Sequence, residues 1–165
     1  MRVTAPALIV ACTVCALRLW GQSTVHVETP DRNGTAGLQE QTAHTAIDNY
    51  LHSWQSLRRA FEKNQAAGLD QDFVGTAKDK LAATIREQAA LGLGTTYQDR
   101  SHDIKIVFYS PEGLSMELED DVTYDVELLG HGTPTTRLNQ RAKYFVVMTP
   151  AETRWRVRVF QAEHD

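Results

Sequence analysis

Cysteine is almost missing from this chain of 165 residues. There are two, Cys12 and Cys15, and both fall within the first 23 positions. Residues 24–165 therefore have no disulfide framework, no thiolate nucleophile and no cysteine-ligated metal. A Gly-rich phosphate loop, a nucleophile elbow and a metalloprotease helix motif are missing too. So is an excess of basic charge. With a net charge of -4, the chain has no electrostatic footprint for nucleic acid or an anionic membrane, and no nucleic-acid partner is expected. What remains is ordinary: 42% hydrophobic and 23% charged residues suit a globular domain. A chain of about 140 residues can hold itself together through its core alone.

The opening stretch, "MRVTAPALIVACTVCALRLWGQS", has a basic start at Arg2 and an apolar run from Ala5 to Leu17. Arg18, Trp20 and the small residues around Gly21 and Ser23 follow. That pattern predicts a secretory signal peptide over residues 1–23, and hence an exported protein, periplasmic or secreted. The run is too short and too poorly flanked for a membrane span, so the mature chain is expected to have none. An uncleaved anchor and a lipoprotein signal, with Cys12 after "IVA", are the alternatives.

Residues 24–40 are polar and broken by Pro30, Gly34 and Gly37, which predicts a flexible leader. Residues 41–165 read as a single domain. Ile47, Tyr50, Leu51, Trp54, Leu57 and Phe61 recur at spacings of three and four, which predicts a helix over 41–66. Asp70 is then placed to cap a second helix, with Phe73, Ala77, Leu81 and Ile85 at fours and "GLG" ending it at 92–94.

Beyond that point the period changes from 3.6 to 2. "HDIKIVFYS" reads as a strand that ends in the turn "SPEG" at 110–113. In the next strand Leu114, Met116, Leu118, Val122, Tyr124, Val126 and Leu128 share one face, and Glu117, Glu119, Asp121, Asp125 and Glu127 the other. "GHG" at 130–132 leads into a strand from about Thr136 to Met148, and "TPAE" at 149–152 into the last. Long strands joined by short turns predict an antiparallel meander whose apolar face the two helices cover. Arg154, Arg156 and Arg158 read as the solvated face of the final strand, and opposite charges on neighbouring strands would help set register.

Helices first, then a long sheet closing on "TPAETRWRVRVFQA" (149–162), resembles the NTF2-like (cystatin-like α+β) superfamily over residues 42–162. The resemblance implies an α+β fold in which N-terminal helices pack on a strongly curved antiparallel sheet to form a cone. It also implies a homodimer through the sheet. The superfamily includes isomerases and dehydratases as well as non-catalytic binding and assembly domains. Its isomerase-like members use a tyrosine on the first helix with acidic residues on the sheet, and Tyr50 and Asp120 hold such positions here.

Asp120 is the most unusual residue by pattern. Strand parity puts it inward between Leu118 and Val122, where a carboxylate needs a partner or a wet pocket. A bulge within "EDD" at 119–121 would instead turn it to solvent. Tyr50 and Trp54 share a helix face and belong either to the core or to a site. The ligand-binding candidates are Tyr50, Trp54, Met116, Asp120 and Tyr124. Asp120 and Tyr50 are the only catalytic candidates, and no cofactor or metal is expected. The reading is a non-catalytic domain that binds a small apolar ligand or a protein partner. The alternatives are an isomerase- or dehydratase-like enzyme with a pocket carboxylate, and a structural module of an envelope assembly.

Overall fold

The structure is a computed structural model and describes residues 23–30 and 33–163. The signal segment predicted over 1–23 lies outside the described residues, except for Ser23. No described helix is long and apolar enough to cross a membrane.

Helix α1 spans Glu40–Glu62 and buries Ile47, Tyr50, Trp54, Leu57 and Phe61, the stripe that its spacing implies. It stops four residues earlier than expected because Asn64 turns into the left-handed region at φ 54°, which a short polar side chain tolerates. The amide of Gln65 then donates back to the carbonyl of Ala60.

Asp70 does not cap the second helix. A 3-10 turn, Ala66–Leu69, precedes it, and α2 runs Gly75–Ala90. The reason is competition for backbone groups. Val157 donates its amide to the carbonyl of Asp72 and accepts from the amide of Val74, which ties residues 72–74 to the last strand in an extended form. Helix can begin only beyond them, at Gly75, whose φ of 55° suits glycine. Asp70 pairs with Lys78 at 3.0 Å instead.

Five strands form one sheet in the order β1 (Thr24–Val27), β2 (Leu93–Tyr109), β3 (Met116–Gly130), β4 (Thr133–Ala151) and β5 (Arg154–Glu163). The α+β class stands, but the strongly curved antiparallel cone does not. The sheet is mixed and open, neither closed nor strongly curled, with β1 running parallel to β2 and the others antiparallel. Alternation specifies which face a residue takes. It does not specify curvature, which depends on where bulges and kinks fall. The parallel strand comes from residues 24–27, in the stretch read as a flexible leader. Gly34 also docks there, its carbonyl accepting from the amide of Tyr109.

The helices pack on one face of this sheet, over a core of Ile104, Ile106, Met116, Leu118, Val122, Val146, Met148 and Val157. Gln88 ties α2 to α1 and to β2. Its amide donates to the carbonyl of Phe61 and to Asn64, and its oxygen accepts from Thr95. The other face is sorted by charge: Lys143 meets Glu119 at 2.9 Å, Arg137 meets Asp125 at 3.2 Å and Arg141 meets Asp121 at 3.7 Å. Two arginines of β5 turn the other way. Arg154 reaches buried Asp72 at 3.3 Å and Arg156 donates to the carbonyl of Asp70.

Candidate functional site

Asp120 faces inward. Its register is continuous, with Ile104 opposite on β2 and Tyr144 opposite on β4, so no bulge interrupts "EDD". The carboxyl is fully buried. Two groups donate to the same oxygen: Tyr50 Oη lies 2.7 Å from Oδ2, and His102 Nδ1 lies 2.8 Å from it. His102 is buried as well, with its Nε2 3.6 Å from Asp99 Oδ2. Helix α1 thus contributes the phenol, β2 the imidazole and β3 the carboxyl.

The electrostatics follow from that enclosure. Burial alone would lower the pKa of the His102 imidazolium, but its hydrogen bond to Asp120 and the nearby charge of Asp99 outweigh burial and raise it from 6.5 to about 9. Asp99 is held down to about 2, first by His102 and against the cost of its own burial. Burial, reinforced by the Asp120 charge, pushes the Tyr50 phenol well above its usual 10. At neutral pH the group is a charge-paired, hydrogen-bonded centre in the core. Three buried polar atoms nearby lack a hydrogen-bond partner: Asp120 Oδ1, His102 Nε2 and Trp54 Nε1.

Trp54 walls this centre off. Its ring meets His102 edge-on at 5.3 Å on one side. On the other it faces a cavity of about 100 Å³ that includes Tyr97, Tyr124, Tyr144 and Phe160 in its lining. Phe160 stacks on Tyr144 at 4.6 Å, and Tyr124 Oη lies 3.3 Å from Tyr144 Oη. Burial, aided by the Tyr124 hydroxyl, pushes the Tyr144 phenol up as well.

The five residues nominated from the sequence therefore divide. Tyr50 and Asp120 are bonded together but do not line the cavity. Trp54 and Tyr124 do line it. Met116 sits in the core beside Met148 and Tyr109, at the other end of β3. Sequence reasoning missed His102. Its parity with Ile104 and Ile106 was the available signal, since it put the imidazole on the buried face. Among the described residues, no group of three or more His, Cys, Asp or Glu side chains is arranged to hold a metal ion.

No protein-family model matches the sequence, and no curated protein is similar to it. The fold, however, is shared with solved structures. The intermembrane-space region of the chloroplast protein ARC6 matches 76% of this chain and 96% of its own length, with a TM-score of 0.63 and 14% identity. A scytalone dehydratase-like protein of Novosphingobium aromaticivorans matches 76% of this chain and 89% of its own, with a TM-score of 0.53 and 12% identity. At these identities the likeness is one of fold alone.

Proposed function

We propose that this chain is a non-catalytic structural and binding module that engages a protein partner, and that Asp120 holds its core together instead of performing chemistry. One observation carries the reading: Asp120, His102 and Tyr50 are enclosed and hydrogen-bonded to one another, and none of the three lines the cavity beyond Trp54. A general acid or base must come within hydrogen-bond reach of its substrate. The cavity beyond Trp54, at about 100 Å³, is also smaller than the roughly 300–1,000 Å³ of ordinary small-molecule sites. A partner that engages the surface fits this molecule better than a ligand inside that cavity. The apolar run of residues 1–23 supports a working place on the exported side of a membrane.

A dehydratase-like enzyme is the second reading, and the unpartnered Asp120 Oδ1 and His102 Nε2 favour it. It requires Trp54 to swing aside and join the cavity to the polar centre. The stability of Asp120→Asn separates the two. If the carboxyl serves the core, its loss leaves a buried imidazolium without its main counter-charge and costs about 3–5 kcal/mol. If the carboxyl is kept for chemistry, Asp120→Asn leaves stability unchanged or raises it, as removal of strained functional groups does.

A further inference from the structure

The two ends of the sheet are not treated alike. β5 ends opposite Lys143, with Glu163 its last paired residue. The earlier half of β4, residues 133–142, therefore has β3 on one side and no described strand on the other. Residues 133–141 are all exposed. Such an edge presents unpaired backbone donors and acceptors to any extended chain that reaches it.

Its two faces are chemically distinct. On the helix-bearing face, Leu138 and neighbouring Leu128 are 44% and 40% exposed, with Val126 opposite Leu138. On the outer face stand Arg137, Asn139 and Arg141; Arg137 and Arg141 meet Asp125 and Asp121 of β3 at 3.2 and 3.7 Å, and their side chains remain 61% and 76% exposed. The molecule already shows how such an edge is completed. One step along, β5 lays Glu163 beside Lys143, with Nζ to carboxylate at 3.7 Å, while Phe160 faces inward over the aromatic cavity.

From this we infer that residues 133–142 of β4 receive an extended segment of a partner protein, added as a further strand. Acidic residues of that segment lie over Arg137 and Arg141, and alternate apolar residues lie over Leu138 and Leu128. Backbone pairing supplies affinity, and the alternating side chains supply selectivity. A second copy of this chain meets like charges in the register centred on Asn139. Antiparallel self-pairing about a two-fold axis at Asn139 would set Arg137 against Arg141, and like charges directly opposite each other destabilise a sheet. The inference rests on the reading of this protein as a partner-binding module and names the partner's chemistry.

The test uses the full mature chain and a synthetic, end-blocked peptide that alternates valine with glutamate and threonine. A matched peptide carries lysine in place of glutamate. The expected result is saturable binding of the glutamate peptide, at least tenfold weaker binding of the lysine peptide, and new amide-exchange protection confined to residues 133–142. The double variant Arg137→Gln, Arg141→Gln should keep its melting temperature and lose most of the binding. Equal binding of both peptides, or protection elsewhere, overturns the proposal. So does self-association through this edge, seen as a dimer in sedimentation that the double variant abolishes. A failure here while Asp120→Asn proves destabilising would sink the edge and leave the non-catalytic reading intact.

Discussion

Tyr50 and Asp120 lie 70 residues apart in sequence, on helix and sheet, and their side chains meet at 2.7 Å in the buried interior. The bond fixes α1 over β3 at one position along the sheet, and His102 on β2 shares the same carboxylate oxygen. A local substitution at any of the three should be felt by two layers of the fold.

Removing the phenol hydroxyl tests this directly. Tyr50→Phe keeps the ring packing and deletes one donor to a buried carboxyl, so it should lower unfolding free energy by about 1.5–3 kcal/mol. Urea denaturation with an unchanged m-value is the measurement. A loss below about 0.5 kcal/mol would mean that the bond contributes little.

The pH dependence has a definite sign. The pKa of His102 is raised in the folded state from 6.5 to about 9. Its contribution is therefore full below about 6.5 and is lost as pH rises through 9. Asp99 is lowered from 3.8 to about 2, so its contribution is present above 3.8 and is lost as pH falls toward 2. Stability should form a plateau between these limits, with an alkaline decline that disappears in His102→Gln. Melting temperatures across pH 3–10 for both proteins would show it. An alkaline limb that survives in the variant contradicts the assignment.

The docked leader depends on a close backbone approach. A Cβ at Gly34 would stand 2.0 Å from the carbonyl oxygen of Val107, a contact that neither backbone can relieve locally. Gly34→Ala should therefore detach this segment from β2 and lose the Tyr109–Gly34 hydrogen bond. It should also open the groove of about 300 Å³ between Pro30, Leu38, Ala43 and Ile47. Faster limited proteolysis before residue 40, with the rest of the domain still protected, is the expected readout. Unchanged proteolysis would show that the leader is held by other contacts.

Much of this arrangement was legible in the sequence because it rests on period. The α1 stripe and the inward set of β3 follow from spacing, whereas the inward direction of Asp120 is decided by the unbroken register through 119–121. What competes over long range was not legible. Asp70 looks like a helix cap until Val157 claims the backbone of residues 72–74. Residues 24–27 look like leader because four residues, all exposed, give no alternation to read. Curvature was inferred from a family layout, and the sheet proved open. His102 shares the parity of Ile104 and Ile106, whereas its neighbour Asp103 points the opposite way on an extended strand. Asp103 bonds instead to His26 on β1, at 2.7 Å.

The central claim is that the Tyr50–Asp120–His102 centre is sealed, and solvent exchange of the His102 ring protons tests it most directly. Nitrogen-15 NMR of the folded protein at pH 7 should show a protonated imidazole with a sharp, slowly exchanging Nδ1–H that titrates near pH 9. A neutral ring that titrates near 6.5 and exchanges rapidly with water would show an accessible site, and would contradict a purely architectural role for Asp120.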